Sequence, residues 1–202
     1  MKHTLQSPVF AAAACWLALC GVLPAQAQTA AQGAAAPSAA EAATLAPAEL
    51  APYGNGWFAK GAGALRFFGF KAYDATLWLP SADTGFSFAR PFALEIRYAT
   101  ALKGREISNT SIVEMQRIAS SSPEQIMAWS KLLESMFVDV KAGDRLIGVH
   151  LPREGIRLFQ NGKLLGESSD AAFSEAFFKI WLDPKTKRPD LRNALLGQAA
   201  RP

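Results

Sequence analysis

Two polar side chains stand out in an otherwise apolar stretch, 61–80, whose sequence is GAGALRFFGFKAYDATLWLP. The guanidinium of Arg66 lies between Leu65 and Phe67, and the hydroxyl of Tyr73 follows seven residues later. An arginine among apolar side chains either reaches solvent at a sheet edge or pairs with an anion, because burying it unpaired is costly. Its planar fork suits a carboxylate or a phosphate. The two side chains are therefore a candidate site for an anionic head group.

Arg66 also has a structural interpretation, as a member of a surface ion pair with Asp74 or Glu95. The odd spacing places Arg66 and Tyr73 on opposite faces of a regular strand. A bulge or a turn at Gly69 would change that, and the ligand hypothesis requires one. Both interpretations stay open at the level of the sequence.

Two other groups of polar residues carry weaker signals. Arg105, Glu106 and Asn109 stand where a helix is predicted to begin, and charges at helix ends are usually structural. Arg105 and Asn109 are kept as secondary candidates for a pocket. Lys71 and Asp74 have the chemistry of an acid–base pair, but their spacing of three places them on opposite faces of a regular strand.

The residue inventory argues against several kinds of catalytic site. His150 is the one histidine outside the N-terminal segment 1–27, and a lone histidine makes neither a triad nor a metal site. Both cysteines, Cys15 and Cys20, lie inside that segment, so the rest of the chain has no thiol nucleophile. Neither a G-x-S-x-G elbow nor a P-loop occurs. We therefore predict no catalytic residue, no metal site and no cofactor.

The N-terminal part of the chain is predicted to stand apart from the folded domain. A basic start, an apolar run and the triplet Ala-Gln-Ala predict a signal peptide, 1–27, cleaved near Ala27. The apolar run is shorter than the ~20 residues of a spanning helix, which argues against a membrane anchor. Residues 28–52 are rich in alanine and proline and predict a disordered linker. The domain is then 53–202, without a membrane span after cleavage and in a periplasmic or secreted location.

Charge gives little indication of a macromolecular partner. The formal net charge of the chain is +4, and the cations are spread along it. The densest cluster, Lys185, Lys187 and Arg188, is flanked by Asp183 and Asp190. This mixture predicts a solvated loop and no nucleic-acid-binding surface.

Hydrophobic periodicity predicts an α+β domain in the order strands, two helices, strands, two helices. The predicted strands span 58–79 with an interruption near Gly69, 92–98, 145–151, 155–160 and 163–165. The predicted helices span 105–119, a segment opened by the capping box of Ser122 and Gln125, a segment capped by Asp170, and 190–196.

Two local patterns sharpen this prediction. Residues 92–98 alternate apolar and charged side chains, with Glu95 and Arg97 on the polar face, which predicts a half-buried antiparallel strand. The dipeptide Asn161-Gly162 predicts a tight hairpin, because both turn positions need positive φ.

The order of these elements and the motifs within them resemble the chalcone-isomerase-like superfamily, specifically its exported bacterial branch. The matching segments are GAGALRFFGFKAYDATLWLP at 61–80, LEIRY at 94–98, GREIS at 104–108, FQNG at 159–162, FFKIWLDP at 177–184 and LRNALLG at 191–197. The resemblance implies an open-faced β-sandwich, in which a large curved antiparallel sheet is covered on one face by helices, with a cleft between them.

The resemblance covers two kinds of protein: plant enzymes that cyclise chalcones, and fatty-acid binders that hold a carboxylate with an arginine and a tyrosine. It assigns the binding roles to Arg66, one residue beyond the family's G-x-G-x-R position, and to Tyr73, where the enzymes have threonine. The enzymes' catalytic tyrosine corresponds to Ile107 and its asparagine partner to Glu114, and 163–166 lacks their threonine. The resemblance therefore points to the binding branch.

We expect a non-catalytic protein that binds a small amphipathic or carboxylate ligand, such as a fatty acid, through Arg66 and Tyr73. One alternative is an isomerase or intramolecular lyase that acts on an unidentified substrate. Another is a periplasmic interaction protein with a filled cavity. The aromatic row of the third helix has the character of core and could also wall a lipid cavity; it consists of Phe173, Phe177, Phe178 and Trp181.

Overall fold

The structure is a computed structural model, and it describes residues 45–67, 69–80 and 85–198. The predicted signal peptide and residues 28–44 of the predicted linker lie outside this part of the chain. The described strands are β1 Phe58–Phe67, β2 Phe70–Leu79, β3 Phe92–Tyr98, β4 Arg145–Leu151, β5 Gly155–Gln160 and β6 Lys163–Ser168. The described helices are α1 Gly104–Ile118, α2 Pro123–Met136, α3 Ala171–Leu182 and α4 Pro189–Leu195, together with a 3-10 helix, Ala48–Tyr53.

The strands form one six-stranded antiparallel sheet in which every strand pairs with its neighbour in the chain. The predicted interruption near Gly69 is the hairpin between β1 and β2, where Gly69 has a φ of 84°. The predicted hairpin at Asn161 and Gly162 is also present, with φ values of 49° and 86°. The α+β class and the antiparallel open sheet are confirmed.

The helices pack against one face of this sheet, and their starts follow from the sequence. The Ser122 hydroxyl accepts a hydrogen bond from the Gln125 backbone amide at 3.3 Å, and Gln125 Oε1 accepts one from the Ser122 backbone amide at 3.0 Å, which completes the predicted capping box. Asp170 caps α3 by accepting from the Phe173 amide at 3.0 Å. These caps satisfy amide donors that have no partner within the helix.

Close contact between α4 and β1 depends on two glycines. A Cβ atom at Gly61 would lie 2.1 Å from the carbonyl oxygen of Ala194, and one at Gly63 would lie 2.8 Å from the Leu191 side chain. Any larger residue would push α4 away from the strand. The Gly-x-Gly pattern thus brings the C-terminal helix, and the loop before it, against the start of the sheet.

The opposite face of the sheet is also covered, which corrects the prediction for the linker. Leu50 of the 3-10 helix is fully buried against a second apolar cluster that includes Trp57, Trp78 and Ile147. The predicted disordered linker, 28–52, is therefore folded over its described end. One well-placed leucine anchors a segment whose composition alone is typical of disorder.

The strand β3 is buried on both faces, and the predicted half-exposed strand is wrong at Glu95. Its carboxylate is only 4% exposed, accepts a hydrogen bond from Trp78 Nε1 at 3.0 Å and lies 2.7 Å from the guanidinium of Arg97. Arg97 remains exposed, as predicted. A charged residue at an alternating position was buried because Trp78 and Arg97 supply partners for it.

Candidate functional site

A cavity of about 860 Å³ lies between the helices and the end of the sheet where β1 ends, β2 begins and β3 ends. Its volume is within the roughly 300–1,000 Å³ range of small-molecule pockets. The space exists partly because this end is lined by small side chains, among them Ala72, Ala99, Thr100, Thr110 and Ser111. The hypothesis of a filled cavity is therefore not supported.

The apolar wall of the cavity comes from both layers of the fold. The sheet contributes Leu65, Ile96 and Leu146, and the helices with their flanking segments contribute further apolar side chains: Ile107, Phe137, Phe177, Ile180 and Trp181. The members of the predicted aromatic row therefore have two different roles, as cavity wall and as core. Phe177 and Trp181 line the cavity, whereas Phe173 and Phe178 lie fully buried in the core.

Tyr73 lines the cavity, as predicted for a ligand-binding residue. Its hydroxyl oxygen accepts a hydrogen bond from Trp181 Nε1 at 2.9 Å, and its ring meets that of Tyr98 edge to face with centroids 6.1 Å apart. Burial raises the pKa of Tyr73 to about 12, although Trp181 and the charge of Arg188 act in the lowering direction. The hydroxyl therefore keeps its proton at neutral pH and can donate a hydrogen bond to an acceptor in the cavity.

Arg66 does not line the cavity, so the predicted pairing of Arg66 with Tyr73 over one pocket is not formed. Leu65 lies opposite Tyr73 across the β1–β2 hairpin and lines the cavity. Since successive residues of a strand point to opposite faces, Arg66 points outward. Its side chain is exposed and donates to the Gly69 carbonyl at 3.4 Å. Neither Asp74 nor Glu95, the partners considered from the sequence, forms an ion pair with Arg66.

A β-bulge at Ala72 corrects the prediction for Lys71 and Asp74. Leu65 pairs with Tyr73 but Arg66 pairs with Lys71, so Ala72 is the extra residue of the bulge. The bulge alters the alternation of side chains. As a result, Lys71 Nζ lies 2.7 Å from Asp74 Oδ2 in an exposed ion pair, with Lys71 at the cavity.

Arg188, the N-cap residue of α4, supplies the guanidinium that Arg66 does not. Arg188 lines the cavity and lies near enough to Tyr73 to influence its pKa. Its Nη1 donates to the Arg66 carbonyl at 3.0 Å, and its Nε and Nη2 contact Asp190 at 3.4 Å. Those two contacts are long for charge-assisted bonds, which are commonly about 2.7–2.9 Å. The guanidinium thus has weakly engaged donors at the cavity that Tyr73 also lines.

The helix α1 contributes Glu114, which is held by two cations. Arg117 Nη2 lies 2.7 Å from the Glu114 carboxylate, and Lys187 Nζ contacts the other oxygen. Burial of Glu114 acts to raise its pKa, but the hydrogen bonds from Lys187 and Arg117 outweigh this effect, and the pKa is lowered. Glu114 is therefore an ionised structural anchor that fastens the 183–188 loop to α1.

Arg105 and Asn109, the secondary candidates, are exposed and do not line the cavity. The neighbouring positions of α1 line it instead: Glu106, Ile107, Thr110 and Ser111. Because a helix turns about 100° per residue, these two polar candidates fell on the solvent side of α1. The position that resembles the enzymes' catalytic tyrosine does face the cavity, but it is occupied by the apolar Ile107.

Sequence reasoning missed Arg188 as a residue of the cavity, and it considered Trp181 as a cavity wall without a role beside Tyr73. Both were noticed, Arg188 in the cationic cluster 185–188 and Trp181 in the aromatic row, but each pattern has a common structural explanation. Trp181 and Arg188 lie on either side of Asp183-Pro184, where α3 ends. A helix end of this kind was the available signal that the chain changes direction between the two residues. Only the tertiary contact with Arg66 and Tyr73 distinguishes them from a solvated loop and a core residue.

Two further classes of feature are absent from the described part of the chain. Residues 45–67, 69–80 and 85–198 hold no group of three or more histidine, cysteine, aspartate or glutamate residues that could bind a metal ion. None of the helices in those ranges has the length and apolar character needed to cross a membrane.

Comparison with known proteins identifies the family and the fold. The sequence description of the chalcone isomerase-like family matches residues 46–197. This span begins at the 3-10 helix, in agreement with the folded end of the predicted linker.

One curated relative and one solved structure illustrate the similarity. An uncharacterized protein of Haemophilus influenzae is 29% identical over 109 residues, which are 54% of this chain and 53% of that protein. This chain thus matches about half of the relative's length. The crystal structure of a fatty-acid binding protein of Arabidopsis thaliana superposes with a TM-score of 0.55 at 9% identity, over 76% of this chain and 89% of that chain. At that identity the likeness concerns the fold.

Proposed function

Because the chain belongs to the chalcone isomerase-like family, we propose that it binds a small amphipathic ligand with an anionic head, such as a fatty acid, and catalyses no reaction on it. The observation that carries this proposal is the presence of Arg188 and Tyr73 in the lining of one cavity with apolar walls. The likeness in fold to a plant fatty-acid binding protein adds support.

The head group would lie between Arg188 and Tyr73. A carboxylate can accept from the guanidinium in a bidentate manner and from the tyrosine hydroxyl at the same time. Trp181 orients this hydroxyl, because its Nε1–H occupies one lone pair of the Tyr73 oxygen and leaves the O–H to donate. Lys71, which is paired with Asp74, also lines the cavity.

The tail would lie along the apolar wall formed by Leu65, Ile96, Phe177 and Ile180. Removing an alkyl chain from water contributes about 0.8 kcal/mol per buried CH₂. The head-group contacts therefore select the anion and its orientation, whereas the tail supplies most of the affinity.

The titratable groups of the cavity favour binding over catalysis. A general acid or base works best with a pKa near the operating pH. Burial raises the pKa of Tyr73 to about 12 and raises that of Tyr98 further, while ion pairing lowers that of Glu114. Each of these groups is thereby held in one protonation state around neutral pH.

Native mass spectrometry of the purified protein, followed by denaturation and lipid analysis, tests the proposal. We expect a co-purified or added fatty acid, retained by the wild type, weakened in Tyr73→Phe and lost in Ile107→Trp, where the indole occupies the cavity. Thermal unfolding of that variant serves as the control for folding. A wild type that retains no fatty acid, either as purified or after its addition, would contradict the proposal.

Export is a separate part of the proposal, supported by the sequence of residues 1–27 alone. We expect the protein in a periplasmic or secreted fraction, with Gln28 as its N-terminal residue. N-terminal sequencing of the fractionated protein checks this expectation. A chain recovered with Met1 in the cytoplasmic fraction would contradict it.

A further inference from the structure

Two exposed phenylalanines stand at the opening of the cavity. Phe67 ends β1 and Phe70 begins β2, and the two lie opposite each other at the tip of the hairpin. Their side chains are 56% and 81% exposed, and both also line the cavity. Large apolar side chains grouped at a surface mark an interaction site more often than isolated ones do. A ligand inside the cavity does not account for their exposed surfaces.

Cations flank both phenylalanines. Arg66 precedes Phe67 in the chain and points to the outer face, and Lys71 follows Phe70. The guanidinium carbon of Arg188 lies 5.7 Å from the centre of the Phe67 ring, and its Nη1 donates to the Arg66 carbonyl. We name this group the aromatic tip; it consists of Arg66, Phe67, Phe70, Lys71 and Arg188.

The acidic residues around the tip do not cancel this charge. Asp74 pairs with Lys71, and Asp190 contacts Arg188 at 3.4 Å. Arg66 contacts a carbonyl oxygen, that of Gly69, and forms no ion pair with a described residue. The tip therefore presents two apolar rings within a net positive surround.

We propose that the aromatic tip docks the protein onto the surface of a bilayer that contains anionic lipids. Interfacial binding of this kind combines the burial of apolar side chains at the level of the head groups with attraction between cations and anionic lipids. Arginine and lysine suit the surround because their apolar stems can lie along the interface while the charges reach the lipid head groups.

The position of the tip favours a bilayer over a protein partner. The same two phenylalanines form part of the cavity lining, so docking would hold the opening of the cavity against the interface. An acyl chain could then pass between bilayer and cavity along apolar side chains. The inference goes beyond the proposed function, because vesicle binding does not require the cavity to be occupied.

Co-sedimentation with vesicles tests the docking surface. We expect the purified protein to sediment with vesicles of phosphatidylcholine mixed with phosphatidylglycerol, to sediment far less with phosphatidylcholine alone, and to be released by salt. The double variant Phe67→Ser/Phe70→Ser should weaken binding by about tenfold or more. Arg66→Glu, which lies outside the cavity, should also weaken it by about tenfold while retaining the fatty acid in native mass spectrometry.

Two matched controls locate the effect. Met127→Ser removes another exposed apolar side chain, on α2, and Arg153→Glu reverses another exposed cation, at the far end of the sheet between β4 and β5. Both should bind vesicles as the wild type does.

The inference is overturned by a wild type that binds no vesicles, by equal binding to neutral and anionic vesicles, or by equal losses in the controls. A dimer that dissociates in the double variant, without vesicle binding by the wild type, would instead assign the tip to self-association. Failure to retain a fatty acid would contradict the proposed function and leave this measurement unaffected.

Discussion

At the end of the sheet where β3 begins, aromatic rings fill the space under the helices, whereas at the end where β3 finishes the same space is hollow. Phe92 stacks on His150 with centroids 4.7 Å apart and meets Phe178 edge to face at 4.9 Å. At the other end, Tyr73 and Tyr98 meet edge to face and line the cavity. One face of one sheet thus carries both a packed aromatic core and a cavity.

The difference comes from the side chains that meet across the two layers. The filled end combines Phe86, Phe88 and Phe92 with His150, which is held at both ring nitrogens. Its Nε2 donates to the Phe88 carbonyl at 2.9 Å, and its Nδ1 accepts from the Ser174 hydroxyl at 2.7 Å. The hollow end has alanine, serine and threonine where rings would be needed to fill it. The packed core and the cavity therefore lie at separate ends of the sheet.

The largest contrast should come from one substitution made at both ends. Phe92→Ala leaves a void in the filled end and should lower the free energy of unfolding by about 3–5 kcal/mol. Phe70→Ala, at the exposed tip, should change it by less than about 0.5 kcal/mol. Urea unfolding of both variants measures the difference. Equal losses would mean that the two ends are not distinct in packing.

The next contrast concerns the opposite face of the sheet, which the 3-10 helix covers. Leu50→Ala should lower the free energy of unfolding by about 2–5 kcal/mol, because the leucine is fully buried. Leu45→Ala is the matched control, since Leu45 is 77% exposed. If chemical unfolding shows no loss in Leu50→Ala, this segment behaves as the disordered linker that its composition suggests.

The smallest effect should be a pH dependence that belongs to the filled end. Burial chiefly lowers the pKa of His150, against the raising effects of the Phe88 carbonyl and of Glu175. The unfolded chain, with a histidine pKa of about 6.5, then binds the proton more readily than the folded chain. The stabilisation is therefore complete above about pH 6.5 and is lost as the pH falls through that value and on toward the folded pKa.

Urea unfolding between about pH 8 and pH 5 measures this slope, above the range in which most carboxylates titrate. His150→Gln, which retains one donor and one acceptor, should flatten it. An unchanged slope in His150→Gln would assign the pH dependence to other groups. Fatty-acid retention should not follow the same curve, because the hollow end does not contain His150.

The sequence was sufficient where the signal is local. The strand β3, the capping box of Ser122 and the hairpin at Asn161 and Gly162 depend on alternation, on one cap and on one turn, all within a few residues. Short connections then favour the antiparallel pairing of β1 with β2, of β4 with β5 and of β5 with β6. The strands β3 and β4 also pair, although α1 and α2 separate them in the chain.

The sequence was insufficient where partners are distant in the chain. The bulge at Ala72 is a matter of register between β1 and β2, and it brings Lys71 to Asp74. Arg188 reaches the site only because the 183–188 loop folds back onto β1. No periodicity within either segment contains that information.

The most direct test is to compare Arg188 with Arg66 as the residue that binds the anionic head group. Titration with oleate by isothermal calorimetry should show that Arg188→Gln weakens binding by about tenfold or more, because a charge-assisted hydrogen bond is lost. Arg188→Lys, which keeps the charge without the planar fork, should fall between it and the wild type. Thermal unfolding of the same samples controls for the role of Arg188 at the start of α4. Arg66→Gln should bind as the wild type does; a loss in Arg66→Gln with none in Arg188→Gln would contradict the account.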